Sequence, residues 1–153
     1  MSVERRYQPI SAPGFIPNPP TAFGLGQLLT WRAKYDFALD GGAQGLITPK
    51  INVTIPDNAL IMGGVINPTT ALAGATATIS IGTSAGSSAS SIIAATAVAS
   101  WTTDSISLVV VPKFTAATFV KLTAAGLITF TVATADLTAG VCEVTLVGFV
   151  AAA

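Results

Sequence analysis

The chain has no histidine and a single cysteine, Cys142, and only 9% of its 153 residues are charged, against about 25% in ordinary soluble domains. Without histidine it lacks the commonest general base, the commonest metal ligand and the usual nucleophile triads. One cysteine leaves no internal disulfide framework and no cysteine-built zinc cluster, and it fits a chain made in a reducing compartment. Seven basic residues balance seven acidic ones, so the basic surface that nucleic acid demands is not expected. Hydrophobic residues reach 51% and mean hydropathy is +0.69, yet every apolar run is soon cut by Thr, Ser, Gly, Asn or Pro. A spanning helix needs about 20 mostly apolar residues, so no membrane segment is expected. "YQPISAPGFIPNPP" is too punctuated by proline to be the core of a cleaved export signal.

The chemistry that remains is thin. Asp36 and Asp40 lie four apart in an expected strand, on one solvated face about 13 Å apart, too far to share a proton or an ion. Asp57 and Asp104 stand in expected turns, where aspartate bonds the local backbone; that role outweighs a calcium site at Asp57. Cys142 alternates with Val144 and Leu146, which makes it a buried, inert thiol rather than a nucleophile. "GTSAGSSAS" has the glycine and serine of a phosphate loop without its Gly-Lys-Ser/Thr element. "GLG" at Gly24 to Gly26 is too short for a dinucleotide fingerprint and eases the chain into the domain. Asn52-Val53-Thr54 matches a glycosylation acceptor, a short and common pattern of little weight without an export signal. The expectation is a non-enzyme with no catalytic residue, no metal and no cofactor.

The body reads as one domain made of strand after strand. In "WRAKYDFALD", Trp31, Ala33, Tyr35, Phe37 and Leu39 alternate with polar or small residues, the period of a strand with one buried face. "KINVTI" alternates again and sets Ile51, Val53 and Ile55 inward. "ALIMGGVI" carries Gly63-Gly64, the mark of a bulge or a close backbone approach. "ATATISIG" points Ala77, Ile79 and Ile81 inward, and "IIAATAVASW" is a short helix or a strand. "ISLVVV", "ATFVKL", "LITFTVAT" and "GVCEVTLVGFV" complete eight or more strands. The fold class is therefore all-β: a single antiparallel β-sandwich, jelly-roll-like, over residues 27–153, preceded by an extended arm over residues 1–26.

From Asn58 to Thr103 there is no charged residue, and so bland a surface suits permanent association. The arm carries prolines at 9, 13, 17, 19 and 20, which favour a stiff, extended strap. Ordering some 25 residues costs tens of kcal/mol at about 1–2 kcal/mol each. The anchors Tyr7, Ile10, Phe15, Ile16 and Phe23 return about 1.5–3 kcal/mol each when buried, too little alone. An ordered arm therefore needs contacts along its length, and the expectation is a clasp across neighbouring subunits. Arg5 and Arg6 would meet a carboxylate on a partner protein rather than phosphate.

Three ordered stretches, "YDFALDGGAQGLITPKINVTIPDNALIMGGVIN", "ATISIGTSAGSSASSIIAATAVASWTT" and "FVKLTAAGLITFTVATADLTAGVCEVTLVGFV", resemble small structural proteins of tailed double-stranded DNA bacteriophages, above all head decoration or cement proteins. The resemblance covers about residues 33–151 and excludes the arm. It implies a β-sandwich, often trimeric, that sits on the major capsid protein lattice at the capsid surface of the virion, after synthesis in the host bacterial cytoplasm. The open alternatives are a head-fibre, tail-tube or tail-tip protein, and a carbohydrate-binding sandwich.

Overall fold

The computed structural model describes residues 28–85, 91–110 and 120–151. Its strands are β1 (Leu29–Asp36), β2 (Gly45–Ile47), β3 (Ile51–Asn52), β4 (Ala59–Ala73), β5 (Thr78–Thr83), β6 (Ile93–Ala97), β7 (Ser107–Val110), β8 (Val120–Lys121), β9 (Ile128–Ala133) and β10 (Ala139–Val150). A one-turn helix, α1 (Phe37–Asp40), and a 3-10 turn at Val98–Ser100 complete it. The segment "IIAATAVASW" is thus strand first and helical turn second. Among the described residues no helix is long and apolar enough to cross a membrane.

Two antiparallel sheets stack as an open sandwich. One runs β3-β1-β10-β4-β7, with β8 also on β4, and the other runs β2-β9-β5-β6. Among the described strands the chain changes sheet at β1 to β2, β2 to β3, β4 to β5, β6 to β7, β8 to β9 and β9 to β10, which is the two-sheet winding of a jelly roll. Alternation builds the core: Trp31, Ala33 and Tyr35 face in opposite Leu146, Val144 and Cys142. They meet Ile79 and Ile81 of β5 and Ile128, Phe130 and Val132 of β9, and the rings of Tyr35 and Phe130 lie 5.4 Å apart across the sandwich.

Four local expectations change. The strand expected through Asp40 stops at Asp36, whose carboxylate accepts the Ala38 N–H at 3.0 Å while Asp40 Oδ2 accepts the Asp36 N–H at 2.9 Å. Two carboxylates satisfying orphan donors favour a helical turn over continued extension, and Leu39 ends up exposed. In "KINVTI" only Ile55 is buried, whereas Ile51 and Val53 are half exposed. This segment crosses from one sheet edge to the other, so it has no single buried face. In β5 Ser80 is buried along with its apolar neighbours. Finally, β4 runs on through Pro68, which sits where the β10 register shifts, a bulge being the place where a strand tolerates proline.

The Gly63-Gly64 reading fits what is seen. The β4–β10 register skips Met62, and a Cβ on Gly64 would fall on the Thr145 carbonyl oxygen.

Candidate interaction surfaces

Cys142, Tyr35, Asp36, Asp40 and Asp57 are each held by structure. Burial, and then the neighbouring Glu143 charge, pushes the Cys142 thiol up to about 12, so it stays protonated and unreactive at neutral pH. Burial, then Asp40 and Asp36, pushes the Tyr35 hydroxyl up to about 12, and that hydroxyl donates to the Gly41 carbonyl at 2.7 Å. Asp36 and Asp40 are not on one strand face as expected; α1 folds them together, and their oxygens accept backbone N–H groups, including Lys50 N–H on Asp40 Oδ1 at 2.9 Å. Asp57 bonds the Asn58 N–H at 2.7 Å. Among the described residues no three His, Cys, Asp or Glu side chains gather as a metal site would require.

Asn52, the residue of the glycosylation pattern, is engaged inside the protein. Its amide donates to the Ile128 carbonyl at 2.7 Å and accepts the Ile128 N–H at 3.3 Å, so it imitates a strand neighbour for β9.

Surface, then, is what the molecule offers. On the outer face of the larger sheet, Arg32 stands opposite Thr145, which stands opposite Val65. Beside that row, Lys34 and Glu143 approach at 4.0 Å, both well exposed; an exposed pair of that length contributes little. The exposed large apolar side chains are Met62 and Val65 on β4, Leu39, Leu46, Ile51 and Val53 along the β1–β4 connection, and Leu28 and Ile106. The alternating pattern of "KINVTI" hid the exposure of Ile51 and Val53, because β3 spans only Ile51–Asn52 and the alternation beyond it has no ladder to hold a face.

Shallow clefts lie among the described residues. One of about 170 Å³ lies beside Arg32, Lys34, Ile51 and Glu143. Another, of about 90 Å³, lies where β6 of one sheet and the approach to β7 of the other come together, lined by Ile93, Thr96, Ser100, Trp101, Ser105 and Ser107. Both fall below the roughly 300–1,000 Å³ of pockets that enclose small ligands. Trp31 and Trp101 are 3% and 6% exposed, so neither offers an indole face to a sugar. The Trp101 Nε1–H, moreover, is buried without an acceptor among the described residues, a feature that the sequence alone did not signal.

The residues expected to bind a partner, Arg5, Arg6, Tyr7, Ile10, Phe15, Ile16 and Phe23, lie outside the described residues.

No protein-family model matches the chain, and no curated protein matches it. Among solved structures, a chain of the cyanophage Pam1 capsid asymmetric unit is similar in fold, with a TM-score of 0.56, 19% identity and 98% of each chain covered. A chain of the acid-stable capsid of Helicobacter pylori bacteriophage KHP30 is also similar, with a TM-score of 0.55, 12% identity, and 82% of this chain and 90% of that one covered. At such identities the likeness is one of fold.

Proposed function

We propose that this protein is a structural component of a double-stranded DNA bacteriophage head, a cement subunit that binds the assembled major capsid protein lattice from outside and stabilises it. The observation that carries this reading is the end-to-end likeness to a chain of a phage capsid asymmetric unit, 98% of each chain being covered. A second capsid chain from a phage of a different host genus has the same architecture. The nearly uncharged surface, the well-paired strands and the spent carboxylates support a binding role without catalysis.

Stabilisation then works by mass action. A subunit that binds the closed lattice and not its separated pieces lowers the free energy of the closed form by its own binding free energy. Repetition over many sites, with trimers held by arms that clasp neighbours, multiplies that effect. Arg5 and Arg6 supply charge for carboxylates on the partner, and Tyr7, Ile10, Phe15, Ile16 and Phe23 supply its apolar anchors.

The test is to add the purified protein to phage shells that lack it and to count bound copies by quantitative mass spectrometry. Hundreds of copies per particle, with raised resistance of the shell to heat, are expected. Tens of copies or fewer would assign it to a fibre or tail, and no binding to shells, with capture on a glycan array, would replace the reading with a lectin.

A further inference from the structure

The prolines of the arm have a parity. Pro9, Pro13, Pro17 and Pro19 all occupy odd positions. In an extended chain, successive residues turn their N–H and C=O groups to opposite edges. An extended stretch over residues 8–18 therefore keeps an N–H at every even position, Gln8, Ile10, Ala12, Gly14, Ile16 and Asn18, all along one edge. The opposite edge is stripped of donors wherever proline falls. Proline also biases the residue before it toward extended conformations, and Gln8, Ala12, Ile16 and Asn18 are all such residues. Pro20 breaks the parity and ends the register. A strand of this kind can join a sheet by one side only, and it closes that sheet to any further strand.

The sandwich offers an edge that suits it. β6 pairs with β5 on one side, and no other described strand pairs with it. Its sequence, IAATA, holds no charge and no proline, the usual devices by which edge strands refuse partners; its one irregularity is an extra residue opposite Ser80. Ala94, Ala95 and Ala97 are exposed, so little bulk stands in the way of a neighbour. Alongside runs a hydroxyl-lined cleft bounded by Ile93 and Trp101. Charge matches too: from Tyr7 to Trp31 the chain carries none, and neither does β6. Residues 19–28, ten in number, can span up to about 33 Å when fully extended, about the diameter of a small domain.

We propose that a stretch of about five residues around Ala12, within residues 8–18 of one copy, joins the four-stranded sheet of a second copy as its terminal strand, bonded to the five-residue β6 through its even-numbered backbone groups. This rests on reading the arm as an inter-subunit clasp, and it names the surface that the clasp grips.

The test uses the full chain and a pair of adjacent substitutions of small residues, Ser11→Pro and Ala12→Pro, with self-association followed by analytical ultracentrifugation. Ala12→Pro removes a needed donor and is expected to weaken association by about tenfold or more, as one backbone group left unpaired implies. Ser11→Pro, on the edge already stripped, is expected to leave it within about twofold. Hydrogen exchange of the β6 amides, measured above and below the association concentration, is expected to slow in the associated form. Equal effects of the two prolines, β6 amides indifferent to association or already slowed in the monomer, or a chain that stays monomeric at every concentration would each overturn the proposal. Binding of the same variants to shells reports separately on the cement role: shells that still bind a parity-blind arm leave that role standing while this inference falls.

Discussion

Gly148 of β10 pairs with β4 at a register shift, with the β4 backbone close by. A Cβ built there would land on the Leu60 carbonyl oxygen and within 3.0 Å of the Trp31 ring. Both neighbours are fixed, one by the sheet ladder and the other by burial, so neither can yield. Gly148→Ala is expected to destabilise the fold by about 3 kcal/mol, read as a lower denaturant midpoint at unchanged slope. The same scale governs alkaline behaviour. Cys142 and Tyr35 are both held at about 12, above their ordinary values of 9.0 and 10.0. Between pH 9 and 12 the unfolded chain loses these protons while the native one keeps them, so stability falls as pH rises through that window and is intact below it. Tyr35→Phe would remove one of the two contributions along with the bond to Gly41. Its expected signature is a loss of about 1 kcal/mol at pH 8, with a shallower further decline toward pH 11 in urea titrations.

Among elements, the stretch from β3 toward β4 ties the two sheets together: β3 pairs with β1 of one sheet, while its residues also reach the chain at the start of β9 in the other. Asn52 does part of this by holding both polar groups of Ile128, and the Ile55–Gly126 bridge does more, with bonds of 2.8 and 2.9 Å. Asn52→Ala would leave the Ile128 groups without a partner at the β9 edge. A loss of about 2 kcal/mol is expected, with faster hydrogen exchange at Ile128 than in β10, where pairing on both sides persists. The hinge at α1 was hidden for a related reason: in "YDFALD" the alternation runs straight on, and only the reach of Asp40 back to Asp36 N–H shows that the strand has ended.

On the scale of the whole molecule, the arm and the body are expected to be separable. The described residues gather a core of their own, with Tyr35, Ile61, Ile81, Leu122, Val144 and Leu146 fully buried. Removing residues 1–25 is expected to weaken assembly and shell binding while the β-sheet circular dichroism and a cooperative thermal transition remain. Unfolding of the truncated chain would make the arm part of the core instead.

How much of this was legible beforehand follows from the range of each signal. Alternation is local, so the buried faces of "WRAKY" and "VCEVTL" and the inert position of Cys142 could be read from neighbours two residues apart. The scarcity of charge and the want of histidine likewise spoke for themselves, and they excluded whole classes of chemistry. Pairing is not local: Leu29 lies beside Gly148, and Asn52 reaches across 76 positions to Ile128. A two-residue period says which face a side chain takes but not which strand lies next to it. The amino-acid order by itself therefore determined a sparsely charged all-β body preceded by a proline-rich stretch. Only tertiary structure decided the sheet order, the exposure of Ile51 and Val53, and the place of β6 at a sheet edge among the described strands, because each depends on free energy shared between residues far apart in the chain.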